Sequence, residues 1–131
     1  MSNEKTKKII KLWLPVFLWC AVIYYLSSVP SLKSDFPRNI DFVLRKIAHM
    51  SEYGILTLLF FRAYSEERNI TKRKAISLAI MFALTYALTD EYHQLFVFGR
   101  EGSLRDIFID SLGIFFVAFL IYCSRNSKMK S

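Results

Sequence analysis

Four apolar stretches, separated by polar segments, run through this chain at about residues 9–28, 42–64, 75–98 and 106–123. Each is close to the roughly 20 residues that an α-helix needs to cross about 30 Å of hydrocarbon. They are too long for strands and predict four membrane-spanning helices. Three of them are uneven along their length. The second opens with Arg45, Lys46, His49, Glu52 and Tyr53 and is clean only from residue 55 to 61. The third is clean first, over residues 75–84, and ends in Asp90-Glu91-Tyr92-His93-Gln94. The fourth opens with Asp106 and Asp110 and is apolar over residues 114–121. If successive helices alternate in direction, all three polar halves fall at one level. The expected fold is an all-α membrane protein: a single domain over residues 1–131, a four-helix transmembrane bundle with a polar chamber in its outer half between helices 2, 3 and 4.

Energy sharpens that expectation. An acidic side chain at the centre of a bilayer costs about 2.5–3.5 kcal/mol on insertion scales, and a Leu, Ile or Phe returns only about 0.3–0.6. Asp90 and Glu91 therefore consume much of the insertion energy of their own helix. Residues this costly face a protein interior or a watery cavity and mark functional sites. At about 100° per residue, Lys46, His49 and Tyr53 share one face, with Glu52 on its flank nearest His49. Tyr86, Asp90, His93 and Val97 form a stripe on the third helix, with Gln94 beside it, while Glu91 points toward a different neighbour. Asp106, Asp110, Gly113 and Val117 share a stripe on the fourth.

Composition agrees with a membrane chain: 53% of residues are hydrophobic and 16% aromatic, high for a soluble domain of 131 residues. The formal net charge of +7 is distributed by side. The N-terminal segment through Lys11, residues 62–74 and the C-terminal segment hold twelve of the 18 Lys and Arg residues, and the other side holds six. This excess places both termini in the cytoplasm. No zinc-finger or RNP-type motif accompanies the charge, so nucleic acid is not an expected partner. The first stretch follows a basic start, as in a signal peptide, but it is too long and no small-x-small site follows it; it is expected to remain as a helix, with Pro15 near its first turns as a candidate kink. Trp13, Trp19, Tyr24 and Tyr25 are expected at lipid or interface positions. Cys20 and Cys123 fall within or at the end of apolar stretches without ligand spacing. They read as small apolar residues.

The motifs Lys46-x-x-His49-x-x-Glu52-Tyr53-Gly54, Asp90-Glu91-x-x-Gln94, Gly99-Arg100-x-Gly102-Ser103, and Asp106 and Asp110 with Gly113, taken together in this order, resemble the VanZ-like proteins. The likeness covers residues 41–113. Two departures are visible: Phe98 stands where a proline is expected, and where a second small residue is expected after Gly113, residues 114–119 are bulky apart from Ala118. The resemblance implies a small multi-pass protein of the bacterial cell membrane. Some members of the family lower susceptibility to the lipoglycopeptide teicoplanin. It supplies no reaction and no cofactor.

Three uses of the chamber follow from its residues. Lys46, Arg100 and Arg105 could neutralise Glu52, Asp90, Glu91, Asp106 and Asp110 in a structural ion-pair network. The same residues, with His49, Tyr53, His93 and Gln94, could instead bind an amphipathic or anionic outer-leaflet ligand, a lipid or cell-wall precursor, with Arg100 and Arg105 as a fork for phosphate or carboxylate. In a third use, an intramembrane hydrolase or transferase, His49, Asp90 and His93 are candidate catalytic groups. They are also candidate metal ligands, together with Asp106 and Asp110. No HExxH motif or established nucleophile motif is present.

Overall fold

The computed structural model describes residues 3–28, 37–68, 70–96 and 104–124. The described residues form four helices: α1 (Asn3–Ser28), α2 (Arg38–Arg68), α3 (Lys72–Gln94) and α4 (Leu104–Cys123). The expected number and order of helices hold, and the ends move. α1 and α2 extend beyond the apolar stretches into charged residues, because helix formation requires hydrogen-bonding geometry and not apolarity. α1 therefore includes Lys5, Lys7 and Lys8, and it runs through Pro15 as one helix. α3 ends at Gln94 instead of residue 98, with the Leu95 N–H turning back to the Tyr92 carbonyl at 3.2 Å. That tighter bond closes the last turn.

Two of the helices, α1 and α4, are long and apolar enough to cross a membrane. α2 and α3 each join an apolar half to a polar half, so they are less apolar over a comparable length.

Side-chain contacts set the arrangement. α2 packs against α1, α3 and α4, and α3 packs against α1 and α4; α1 and α4 do not meet among the described residues. The pair α2–α3 is therefore the centre, with α1 and α4 on either side. Residue pairings give the directions. Tyr53 meets Asp90 and Phe60 meets Phe82, so α2 and α3 are antiparallel. Lys46 meets Asp106 and His49 meets Asp110, so α2 and α4 are parallel.

Close approach is written into the small residues. Ala75, Ala79, Ala83 and Ala87 recur every fourth position and are buried along α3, forming a low ridge that lets helices approach. α2 and α4 come nearest at two glycines. A Cβ on Gly113 would overlap the backbone carbonyl of Met50, and one on Gly54 would lie 2.8 Å from Val117 Cγ2.

The two ends of the bundle differ in chemistry. One end is aromatic: Phe60 stacks on Phe82 at 4.3 Å, and Trp13 meets Phe60 edge-on at 5.5 Å. At that end Thr71 caps α3 by accepting the Lys74 N–H. Lys72 donates to the carbonyls of Tyr122 and Ser124 at the end of α4, where a cation meets the negative end of the helix dipole. The opposite end gathers the polar halves.

Candidate functional site

The first half of α2 projects Lys46, His49 and Tyr53 along one face, and each meets a different acidic residue. Lys46 pairs with Asp106 in the first turn of α4. One turn deeper, His49 Nδ1 lies 3.7 Å from Asp110 Oδ1 and 3.9 Å from Glu52 Oε2. One further turn along, the Tyr53 hydroxyl donates to Asp90 Oδ2 at 2.7 Å, and both residues are buried. The parallel course of α2 and α4 produces this order, since residues three to four apart on each helix fall into successive layers. Below Tyr53, the Thr57 hydroxyl bonds the Tyr53 carbonyl at 2.8 Å and closes the polar region with a buried, satisfied group.

On α3 the buried face runs through Ala83, Ala87, Asp90, Glu91 and Gln94. Glu91, also buried, is among the acidic neighbours of Asp110. His93 lies on the other flank and stacks on Tyr24 of α1, with ring centroids 4.7 Å apart and planes 24° from parallel. The two histidines thus face different neighbours: His49 faces α4 and His93 faces α1. Among the described residues, no three His, Cys, Asp or Glu side chains converge as a metal-binding set.

Among the described residues Asp110 is the most enclosed acidic side chain, at 1% exposure. Its acidic neighbours are Glu91, Asp90 and Asp106, and Lys46 is the nearby base. Its Oδ2 is buried without a hydrogen-bond partner among the described residues. Arg105 is exposed on the first turn of α4. Arg100, the remainder of the Gly99-Arg100-x-Gly102-Ser103 motif, and Val97 and Phe98 lie outside the described residues.

α1 takes a larger part than its sequence suggests. The expectation that Trp13 and Trp19 are lipid or interface contacts is corrected, while Tyr24 stays exposed and also stacks on His93. Trp13 packs on Phe60 and Tyr64. Trp19 Nε1 donates to the Glu52 carbonyl at 2.8 Å, and Tyr24 holds the His93 ring. Tyr24 and Tyr25 are both exposed, at 56% and 68%, whereas Trp13 and Trp19 are half-buried. The reason is that aromatic side chains with a polar tip satisfy a tertiary hydrogen bond as readily as a membrane interface. Tyr86 likewise donates to the Cys20 carbonyl at 2.6 Å and ties α3 to α1. Cys20 and Cys123 are free thiols. No sequence motif marks Thr57, Trp19 or Lys72 for these roles. An indole placed opposite a polar half-helix is the only weak signal.

A protein-family model described as VanZ/LLP1 matches residues 3–125. No curated protein and no solved structure gives a match.

Proposed function

The chain belongs to the VanZ/LLP1 family, and from that premise we propose that it is a multi-pass protein of the bacterial cell membrane that binds an amphipathic outer-leaflet ligand. In this reading all four helices cross the bilayer with both termini in the cytoplasm. The polar halves of α2, α3 and α4 form a chamber in the outer half. The ligand is a lipid or a cell-wall precursor, and binding is tied to reduced teicoplanin susceptibility. One observation carries the proposal. Three half-helices, each costly to place in hydrocarbon, spend their polar groups on one another at a single end of the bundle: Lys46 on Asp106, His49 on Asp110, Tyr53 on Asp90. Apolar packing would hold a bundle at lower cost, since replacing buried ion pairs by well-packed apolar groups is often neutral or stabilising. The concentration of such groups in one place is what a binding site requires.

The test separates binding from scaffolding. His49→Gln, Asp90→Asn and Asp110→Asn nearly preserve size and remove charge or tautomer choice. Expressed in a Gram-positive host, they are expected to abolish any protection against teicoplanin while membrane abundance holds. Glu66→Gln, exposed near the end of α2 away from the polar end, is expected to be silent. Loss of protein in parallel with loss of protection would instead identify an ion-pair scaffold. Full protection in the double variant His49→Gln with Asp90→Asn would exclude a role for this site in the phenotype.

A further inference from the structure

We infer that the site receives the positively charged group of its ligand, a primary ammonium carried by an amphipathic molecule, against Asp110 and its acidic neighbours. The inference rests on the ligand-binding reading above and assigns the chemistry of the group that enters.

The buried charge is one-sided. Glu52, Asp90, Glu91, Asp106 and Asp110 gather at the polar end of the bundle; the bases at that end, Arg45, Lys46, His49, His93 and Arg105, are half-buried or exposed, while Asp90, Glu91 and Asp110 are buried. Lys46 is already engaged by Asp106. Asp90, Glu91 and Asp110 are each at most 5% exposed. Buried charge at this density requires compensation by opposite charge or by hydrogen-bond donors. Tyr53 supplies one donor to Asp90. Asp110 Oδ2, enclosed and without a hydrogen-bond partner among the described residues, is the acceptor that still calls for one. A phosphate or carboxylate brought here would add a like charge beside three nearly enclosed carboxylates. An ammonium adds the opposite charge and three N–H donors in a compact head. A bare metal ion fits less well, because three suitable side chains do not converge among the described residues.

The full chain, purified in detergent, can be examined by native mass spectrometry with phosphatidylethanolamine and phosphatidylglycerol of identical acyl chains. Retention of phosphatidylethanolamine is expected to exceed that of phosphatidylglycerol by about tenfold. The preference is expected to collapse in Asp110→Asn and in Glu91→Gln, and to survive in Glu66→Gln. Two variants are used so that a failure of one to fold leaves the other to decide, with folding checked by circular dichroism. Displacement of the lipid by free ethanolamine would identify a small amine as sufficient. Retention of the lipid against free ethanolamine would identify a lipid headgroup. Both outcomes support an ammonium site. Equal or stronger retention of phosphatidylglycerol, or a preference that survives both variants, would overturn the inference and leave the ligand-binding reading standing. Retention of neither lipid would overturn both.

Discussion

The Tyr53–Asp90 hydrogen bond joins two buried side chains, with 2.7 Å between oxygens. Its energetics are asymmetric. Removing the hydroxyl leaves a carboxylate enclosed without that donor, and an orphaned buried group costs about 1–3 kcal/mol, more when charged. Tyr53→Phe is therefore expected to lower the thermal unfolding midpoint in detergent clearly. In that background Asp90→Asn is expected to be neutral or stabilising, because it removes the charge that lost its partner. A double-mutant cycle measures this coupling, and contacting pairs of this kind give about 0.5–3 kcal/mol. Simple additivity of the two changes would mean that the hydroxyl and the carboxylate do not support each other.

Between helices, the α2–α4 contact depends on two glycines that are not equivalent. At Gly113 an added methyl meets the Met50 backbone, which cannot rotate away. At Gly54 it meets Val117 Cγ2, a side chain that can shift. Overpacking costs about 1–3 kcal/mol. Gly113→Ala is expected at or above the upper end of that range and Gly54→Ala near the lower end. Folded yield by size-exclusion chromatography and unfolding midpoints in detergent check the order, and equal effects would contradict it. Separation of α2 from α4 would also part Lys46 from Asp106 and His49 from Asp110, so Gly113→Ala is expected to impair function along with stability. At the opposite end, Lys72 caps the last carbonyls of α4. Lys72→Ala is expected to cost about 0.3–1 kcal/mol, seen as faster amide exchange confined to the last turn of α4.

Across the whole molecule, the distribution of basic residues leads to an orientation that can be read directly. In a background without Cys20 and Cys123, a cysteine replacing Leu104 is expected to react with an impermeant thiol reagent in intact cells. A cysteine replacing Glu66 is expected to react only after lysis. Both positions are exposed, so access through the protein does not confound the result; Ser65, adjacent to Glu66, would be a poor choice because it is buried at 7%. The reverse labelling pattern would turn the polar end toward the cytoplasm and would remove the outer leaflet as the source of the ligand.

Four helices in this order were legible from hydropathy alone, because a stretch of some 20 apolar residues has few other ways to satisfy its backbone. The common level of the polar halves was legible too, since it follows from helix direction and the cost of charge in hydrocarbon. Helix ends were not: the charged first turns of α1 and the last turn of α2 carry no apolar signal, and α3 stops where a local backbone bond closes it. Nor was the pairing. Periodicity places Asp90, Glu91 and His93 on one helix but does not say which neighbour each meets. Only packing decided that Asp90 meets Tyr53, that Glu91 neighbours Asp110, and that His93 turns to Tyr24 on α1. The bonds that tie α1 to the bundle, from Trp19 to the Glu52 carbonyl and from Tyr86 to the Cys20 carbonyl, belong to the same class. The physical reason is common to all of them. Helix periodicity is a property of consecutive residues, whereas the partner of a side chain depends on the rotation and spacing of helices, which here are set by Gly54, Gly113 and the alanine ridge of α3 acting together.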